Sequence, residues 1–367
     1  MNNSLLLSDH TSYITEHRPS ITDYPKVSII ILNWNGWKDT IECLESLYQI
    51  TYPNYGVIVV DNGSEDGSLE KIKEYAEGKI EVESKFLEYS RKNKPIRIIE
   101  YTREEAEAGG GIEKEIIDLP STKKLIIIKN ERNYGFAGGN NIGIQYALKA
   151  LNPDYVLLLN NDTVVDRAFL DELVKVAESD AMIGAVGPLI YYYSNLNMIW
   201  TVGGGNIYWN KGQASLIGSH EIDKGQFNEI IEVDLVSGCT LLAKSELFEK
   251  IGYLNPEYFI YWEETDWCVR AHKAGYKLLY APKAKIWHKI SSITKTISGF
   301  SEYLLTRNRF WFMKRHATKR QYTLFLLYFF GFQFWLKGAV HTIYHRDINA
   351  FIAFLRGVLD GIIRVHR

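Results

Sequence analysis

Residues 27–36 read VSIIILNWNG, and residues 55–64 read YGVIVVDNGS. In each stretch an apolar run ends in a short polar turn that contains asparagine and glycine. Strands that are apolar on both faces are typical of a parallel sheet covered by helices on both sides. A helical pattern through residues 43–47 separates the two runs. These stretches predict the first βαβ unit of an α/β fold, with polar loops at the carboxyl ends of the strands, where such sheets bind ligands.

The same alternation returns further along the chain. Residues 125–128 and 155–159 are apolar runs, and a glycine-rich turn with an amphipathic helix lies between them. Beyond about residue 180 the pattern mixes short strands with turns, and helices are expected from near Ser245 and over residues 265–274. We therefore expect one α/β domain over residues 26–300, preceded by a loose tail at residues 1–25.

Two segments depart from this pattern. Residues 79–122 are rich in Glu, Lys and Arg, so we expect a charged insertion with a hairpin around residues 96–101 and no chemistry of its own. Residues 301–367 are aromatic and basic, and residues 324–336 are nearly all apolar. That run is shorter than the about 20 residues that a spanning helix needs, which favours an interfacial helix. A helical hairpin packed on the main domain is the alternative.

Composition narrows the functional class. The formal net charge of −2 over 367 residues excludes the strong basic field of a nucleic-acid-binding protein. The 24 Tyr, 16 Phe and 9 Trp suit sugar-binding surfaces or membrane interfaces, although a large aromatic core would also account for them. The three cysteines form no CxxC pair, and the N-terminus has no basic start followed by an apolar run. We therefore expect no zinc ribbon, disulfide framework or signal peptide, and a protein that stays in the cytoplasm.

Two aspartates at strand ends are candidates for ligand binding. Asp61 opens an Asp-Asn-Gly turn, where a carboxylate can accept hydrogen bonds from a base or a ribose, although this is also common turn chemistry. Asp162 follows Asn160 and Asn161 and could hold a divalent cation that bridges two phosphates. Capping of a following helix is the alternative role for Asp162.

The turn NYGFAGGNN at residues 133–141 is a candidate phosphate site. Its glycines let the backbone approach a ligand, and the N-terminus of the helix that follows attracts phosphate. Its spacing matches neither a GxGxxG fingerprint nor a P-loop, which argues against dehydrogenases and ATPases.

An acidic cluster of Glu263, Glu264 and Asp266 follows the aromatic run YFIYW at residues 258–262. Three carboxylates in four residues repel one another, so we expect a raised pKa for one of them, which suits a general base. The alternative is a charged first turn of a helix, but the adjacent aromatics favour a sugar site. His288 could bind a metal or carry a proton, although a lone histidine is more often structural.

Taken in order, these segments resemble the inverting family 2 glycosyltransferases of the GT-A fold, especially their rhamnosyltransferase-like branch. The resemblance extends from about Val27 to His288. It implies a Rossmann-like mixed sheet flanked by helices, with a C-terminal helical region that associates with a membrane. The matching segments are VSIIILNWNGW, VIVVDNGSEDGS, NERNYGFAGGNNIGI, YVLLLNNDTVV, DLVSGCTLLAKSELFEKIGYLNPEYFIYWEETDWCVRAHKAGYKL and IWHK.

The resemblance also assigns roles to residues. Asn160-x-Asp162 occupies the position of the family's DxD motif, so Asp162 would be the main carboxylate ligand of Mg²⁺ or Mn²⁺. The Asn in place of the first Asp leaves the metal affinity open, and His288 would be a further ligand. Glu264 stands where the family has its catalytic Asp, and Asp266 is the second candidate for this base. The remaining assignments are Tyr261 and Trp262 to the acceptor side and Asn33, Asp61, Asn133, Gly138, Gly139, Asn140 and Asn161 to the donor.

By the same resemblance, the chain would move a sugar, first of all rhamnose from dTDP-rhamnose, onto a hydroxyl of a lipid-linked or polysaccharide acceptor in cell-surface glycan synthesis. It would work at the inner face of the cell membrane, where Arg307, Arg309, Lys314 and Arg315 would meet anionic head groups. Two other classes stay open. One is a nucleotidyltransferase, for which NWNGWKD is a poor match to the expected basic glycine-rich loop, and the other is a non-catalytic protein that binds a sugar-lipid or a nucleotide sugar.

Overall fold

A computed structural model describes residues 21–290 and 299–363 of the chain. Most of the predicted N-terminal tail therefore lies outside the described residues. The strands are β1 (Val27–Asn33), β2 (Tyr55–Asp61), β3 (Arg97–Thr102), β4 (Lys124–Lys129), β5 (Tyr155–Asn160), β6 (Thr163–Val165), β7 (Ile183–Tyr192), β8 (Asn195–Val202), β9 (Gly204–Tyr208), β10 (Gln213–Leu216), β11 (Ile231–Glu232), β12 (Leu235–Val236), β13 (Thr240–Lys244) and β14 (Lys277–His288).

The helices lie on both faces of the sheet and at the C-terminal end of the chain. Short 3₁₀ turns at Ile21–Asp23, Glu113–Glu115, Ser121–Lys123 and Pro256–Tyr258 connect some of the elements. The α-helices are α1 (Trp37–Leu47), α2 (Ser68–Ala76), α3 (Arg103–Ala108), α4 (Gly135–Tyr146), α5 (Phe169–Ala177), α6 (Ser245–Ile251), α7 (Glu263–Lys273), α8 (Phe300–His316), α9 (Lys319–Tyr328), α10 (Phe334–Ala339) and α11 (Ile348–Ile363).

A mixed sheet with the strand order β11-β14-β7-β13-β5-β1-β2-β4-β3 forms the centre of the fold. Strands β1, β2, β4 and β5 pair in parallel, as the apolar runs predict. Ile29 and Ile31 point into one hydrophobic core, whereas Ile30 and Ile58 point into the core on the opposite face. Since both faces are covered, these strands are apolar at almost every position between their ends, and the prediction of an α/β fold is confirmed.

The second half of the sheet brings the carboxyl ends of distant strands together. Strand β13 runs antiparallel to both β5 and β7, and β14 runs parallel to β7. The short strand β6 then pairs antiparallel with the end of β14, with His288 opposite Thr163. The site residues predicted near 160 and near 288 therefore meet at one edge of the sheet.

The charged segment 79–122 contains the edge strand β3 and helix α3. The predicted hairpin around residues 96–101 is wrong, because β3 pairs in parallel with β4 over the whole length of β3. Ile99 and Tyr101 are buried, while Glu100 between them and Thr102 after them are exposed. This alternation suits an edge strand with one covered face. The prediction failed because a strand of a hairpin has the same local pattern.

The C-terminal helices pack on the rest of the fold through α8. Its Phe310, Phe312 and Met313 are fully buried. Helix α11 lies close to α8, since a Cβ atom added at Gly361 would come 2.8 Å from the Cβ of Phe310. The prediction that four basic residues of α8 meet a membrane is wrong for Arg309, which is only 6% exposed.

A single long helix, interrupted only by π-turns, extends from Lys319 to Tyr344. It has 26 residues and a mean hydropathy of 1.3 in its most apolar stretch, only 11% of which is buried. By length and composition it could cross a membrane. The apolar run at residues 324–336 alone indicates a helix too short to do so. Its exposed apolar residues and those of α11 include Leu327, Phe332, Trp335, Leu336, Ile343, Tyr344, Ile348, Leu359 and Ile363.

Candidate active site

The ends of β1 and β2 carry a buried Asn–Asp pair. Asn33 lies opposite Asp61 in the sheet register, and its Nδ2 donates a hydrogen bond of 2.8 Å to Asp61 Oδ1. The hydroxyl of Thr40 donates to Asn33 Oδ1 at 2.7 Å, and the backbone N–H of Ser64 donates to the other Asp61 oxygen at 3.2 Å. Because Asn33 is fully buried and its amide is used within this network, its direct effect is to orient Asp61.

Asn62 links this strand end to the glycine-rich turn. Its Nδ2 donates to Asn133 Oδ1 at 2.9 Å and to the carbonyl of Gly135 at 3.1 Å. Its Oδ1 accepts bonds from Asn130 Nδ2 and from the backbone N–H of Tyr134. The local sequence does not predict this role of Asn62, because the Asp-Asn-Gly motif on its own indicates only a turn.

The glycine-rich turn opens α4 and packs against the loop that precedes α7. Gly135 has a φ of +75°, and a Cβ atom there would come 2.5 Å from the carbonyl oxygen of Phe259. A Cβ atom at Gly139 would lie 2.4 Å from Leu32, and one at Gly138 would lie 3.0 Å from Tyr134. Glycine at these positions therefore lets α4 pack closely against β1 and against the loop before α7.

The two asparagines that follow this turn have structural partners. Asn140 is 2% exposed, and its Nδ2 donates to the carbonyl of Phe136 within α4 at 2.9 Å. Asn141 exchanges two hydrogen bonds with the backbone of Leu254, of 2.7 and 3.1 Å. These bonds tie α4 to the segment that leads toward α7.

Asp162 and His288 form a buried pair at the junction of β6 and β14. His288 Nε2 lies 3.1 Å from Asp162 Oδ1, and both side chains are buried. Burial lowers the pKa of His288, but the neighbouring Cys239 and Asp162 outweigh this effect and raise the pKa to about 10. The helix-capping alternative for Asp162 is wrong, because a strand follows it.

A buried carboxylate beside an imidazole offers the oxygen and nitrogen ligands that a divalent cation such as Mn²⁺ accepts. Within residues 21–290 and 299–363, no cluster of three or more His, Cys, Asp or Glu side chains could hold a metal. The remaining ligands would therefore come from a bound substrate or from water. The neighbouring Asn161 donates to the hydroxyl of Thr40 at 3.1 Å, which joins this pair to the Asn33 network.

The three carboxylates at the start of α7 are in different environments. Burial raises the pKa of Glu263 and of Glu264, and the charge of Glu264 raises that of Glu263 further. One oxygen of each, Oε2, is covered and has no hydrogen-bond partner. Glu263 is 3% exposed, whereas Glu264 is partly exposed. Glu264 is therefore the more exposed of the two glutamates.

Asp266 is held in a buried network of cations. Its Oδ1 accepts from His316 Nε2 at 2.7 Å, and its Oδ2 accepts from Arg270 Nε at 2.9 Å. The hydroxyl of Tyr258 donates to Oδ1 at 3.2 Å. Burial raises the pKa of Asp266, but His316 and Arg270 outweigh burial and bring this pKa below its usual range. These contacts suit a residue that joins α7 to α8.

Gly238 connects the acidic helix to the Asp162–His288 pair. A Cβ atom at Gly238 would come 3.4 Å from Cβ and Cγ of Glu264 and 3.6 Å from the ring of Phe136 in the glycine-rich turn. The next residue, Cys239, interacts with His288 and accepts a backbone hydrogen bond of 2.9 Å from Asn160. Glu264, the glycine-rich turn and the Asp162–His288 pair therefore surround one site.

The loop before α7 is strained, and α8 holds it in place. Three of its non-glycine residues, Phe259, Tyr261 and Trp262, have positive φ values of 67°, 72° and 77°. Such conformations persist only where the surroundings enforce them. Asn308 of α8 is fully buried, and its Nδ2 lies 2.9 Å from the carbonyl oxygens of Tyr258, of Ile260 and of Tyr261.

The predicted acceptor-side residues lie at the outer end of this loop. Tyr261 donates from its hydroxyl to Ser301 Oγ at 3.2 Å. The ring of Trp262 packs on Phe312 of α8, with 4.8 Å between the ring centroids. Trp262 directly precedes Glu263 in the chain, so a group bound on Trp262 lies next to the acidic cluster.

We expect Asn308→Ala to lower the free energy of unfolding by about 2–3 kcal/mol. The carbonyls of Ile260 and Tyr261 would lose this donor, and the carbonyl of Tyr258 would keep only its bond from Arg307. Chemical denaturation of the full chain measures this loss. Asn349→Ala, at an exposed position of α11, is the matched control and should change stability by less than about 0.5 kcal/mol. Equal stability of the two variants would contradict the role of Asn308.

The chain matches the family model Glycosyltransferase like family 2 over residues 111–313, more than half its length, and the model Glycosyl transferase family 2 over residues 28–103. It is 26% identical over 236 residues to the low-salt glycan biosynthesis hexosyltransferase Agl10 of Haloferax volcanii, covering 63% of this chain and 73% of Agl10. It is 24% identical over 212 residues to the dTDP-rhamnosyl transferase RfbF of Shigella flexneri, covering 54% of this chain and 66% of RfbF.

A solved structure of the mannosyltransferase PcManGT from Pyrobaculum calidifontis, in complex with GDP-Man and Mn²⁺, has a similar fold. The TM-score is 0.52 at 14% identity, covering 94% of this chain and 89% of that one. The fold that this chain shares with that structure is the GT-A architecture that the sequence resemblance predicts. This chain therefore has the GT-A fold and belongs to glycosyltransferase family 2.

Proposed function

We propose that this glycosyltransferase inverts the configuration of the transferred sugar and that Glu264 is its general base. The observation that carries the proposal is Glu264, a partly exposed residue whose covered Oε2 has no hydrogen-bond partner, in the same site as the glycine-rich turn and the Asp162–His288 pair. An ionised carboxylate with a raised pKa binds a proton more readily than an ordinary glutamate does. Asp266 is the weaker candidate, because its oxygens are already bound to His316 and Arg270.

The transfer is a single displacement. The oxygen of an acceptor hydroxyl attacks the anomeric carbon from the face opposite the nucleotide, while Glu264 takes the proton of that hydroxyl. The bond between the anomeric carbon and the phosphate oxygen breaks, and the nucleoside diphosphate leaves with the electron pair. Glu264 must lie within hydrogen-bond reach of the attacking hydroxyl for this proton transfer.

The nucleotide end of the donor is assigned to the edge formed by β1, β2 and α4. Asp61 would accept hydrogen bonds from the nucleoside, with Asn33 and Asn62 orienting the two loops around it. The diphosphate would lie between the N-terminus of α4 and Asp162 with His288. A divalent cation held there by Asp162 and His288 would neutralise the leaving diphosphate.

The donor is proposed to be dTDP-rhamnose, on the basis of the similarity to RfbF. The acceptor is proposed to be a lipid-linked saccharide at the inner face of the cell membrane. This placement is supported by the long apolar helix Lys319–Tyr344 and by the exposed apolar side chains of α11. A non-catalytic sugar-binding role remains the second candidate, because Asn160 leaves the site with one carboxylate in its DxD position.

Glu264→Gln should bind the nucleotide sugar as tightly as the wild type and lose at least about 100-fold in turnover, since only the proton acceptor is removed. Nucleotide release from UDP-, dTDP- and GDP-sugars measures turnover, and calorimetry measures donor binding. Asp266→Asn is the control: it should keep its turnover per folded molecule and lose about 2–3 kcal/mol of stability. Near-normal turnover in Glu264→Gln would rule out Glu264 as the base.

The apolar C-terminal helices should bind lipid vesicles. We expect the double variant Trp335→Glu, Ile343→Glu to bind anionic vesicles at least about tenfold more weakly, because two exposed apolar side chains, 69% and 73% exposed, lose contact with lipid. Vesicle flotation measures the bound fraction. Ile230→Glu changes an exposed isoleucine outside these helices and should leave binding unchanged. Identical flotation of the double variant and the wild type would contradict membrane association through this region.

A further inference from the structure

A cleft of about 630 Å³ lies beside the acidic cluster, outside the donor site. Its walls come from three parts of the chain: the β9–β10 hairpin, Trp262 before α7, and the C-terminal helices. The residues that line it include Tyr208, Lys211, Gln213, Trp262, Arg309 and Lys337. Trp262 thus lines the cleft and directly precedes Glu263, the first residue of α7.

The charged side chains that line this cleft are all cationic. Lys211, Arg309 and Lys337 line it, and none of its lining residues is a carboxylate. Lys337 has a counter-ion outside the cleft, since its Nζ lies 2.5 Å from Glu302. Lys211 lies in the exposed turn of the hairpin. The lining itself therefore offers cationic groups to an anion, and Glu302 beside Lys337 is the neighbouring negative charge.

Arg309 is a buried cation with an unused donor. Its side chain is 6% exposed, and its Nε has no hydrogen-bond partner. One of its terminal nitrogens donates to the carbonyl of Lys211, and its guanidinium lies 5.1 Å from the ring centre of Phe325 and 5.4 Å from that of Phe329. A buried charge of this kind is costly unless an anion completes its bonding. Arginine is suited to this role because its planar fork matches the oxygens of phosphate.

The position of the cleft relates it to the apolar helix. Lys337 belongs to the long helix Lys319–Tyr344, as do the two phenylalanines that flank Arg309. The cleft is therefore lined by cations and by Trp262, and one of its cations belongs to the apolar helix Lys319–Tyr344. These are the kinds of group that the phosphate, the sugar and the lipid of one ligand would contact.

We propose that this cleft binds the phosphate or diphosphate that joins the lipid to the saccharide in the acceptor. The inference rests on the proposed function, because it places the acceptor's sugar on Trp262 and its hydroxyl at Glu264. It adds a recognition site for the acceptor that is separate from the diphosphate site of the donor. Arg309 and Lys211 are the specificity-determining residues of this cleft.

Calorimetric titration of the full-length protein with farnesyl diphosphate tests the proposal. A chelator is present throughout, so that the donor site cannot bind the diphosphate through a metal. We expect Lys211→Ala and Arg309→Lys each to weaken binding about tenfold, because each removes or displaces a charged hydrogen bond to phosphate. Lys175→Ala, at an exposed position of α5 that does not line the cleft, should bind like the wild type.

The other probes separate the possible sources of the phosphate. Farnesol should bind at least about tenfold more weakly than farnesyl diphosphate, since the charged contacts are lost. Inorganic pyrophosphate binding as tightly as farnesyl diphosphate would assign the cleft to a free anion and overturn the proposal. Equal affinities of wild type, Lys211→Ala and Arg309→Lys would also overturn it. Because these are binding measurements, they can succeed or fail independently of nucleotide release, which reports on the proposed transfer reaction.

Discussion

The geometry of the active site depends on a strained loop that Asn308 holds against α8. Phe259, Tyr261 and Trp262 each adopt a positive φ, which costs of order 1–3 kcal/mol per residue. The amide of Asn308 offsets this cost by bonding to the carbonyls of the loop. The loop in turn fixes the start of α7 and hence the position of Glu264. The catalytic part of the fold is therefore completed by a helix from the C-terminal region, the same region that carries the apolar surface.

This arrangement joins three regions that are far apart in the sequence. Strand β6 brings Asp162 next to His288, and Gly238 leaves room for Glu264 beside the glycine-rich turn. The ion pairs of Asp266 with Arg270 and His316 then connect α7 to α8. Because α8 also contacts the cleft with the cationic lining, binding of a lipid-linked acceptor and alignment of the base share one structural support.

The sequence was sufficient to predict the sheet and most of the positions that surround the site. The runs at residues 27–32 and 55–60 are apolar at almost every position. This pattern is typical of a strand that is covered on both faces. The prediction failed at β3, because Arg97–Thr102 alternates between buried and exposed side chains and so matches a hairpin strand equally well. Periodicity distinguishes covered from exposed faces, but it does not identify the partner of an edge strand.

The roles that sequence reasoning missed depend on hydrogen bonds between distant residues. Asn62 bonds to Asn133, 71 positions away, and Asn308 bonds to carbonyls 47 to 50 positions away. No local pattern distinguishes such asparagines from those of ordinary turns. In the same way, the sequence places Glu264 and Asp266 in one acidic cluster, and the bond of Asp266 to His316, 50 positions later, is among the contacts that separate their environments.

The anomeric configuration of the product is the measurement that tests the single displacement at Glu264 most directly. The full-length protein would be incubated with UDP-, dTDP- and GDP-sugars, a lipid-diphosphate-linked saccharide and Mn²⁺, and the new glycosidic bond examined by NMR. We expect one donor to give a product of configuration opposite to that of the donor, and no product in a chelated control. A product that retains the donor's configuration would contradict a single displacement with Glu264 as the base.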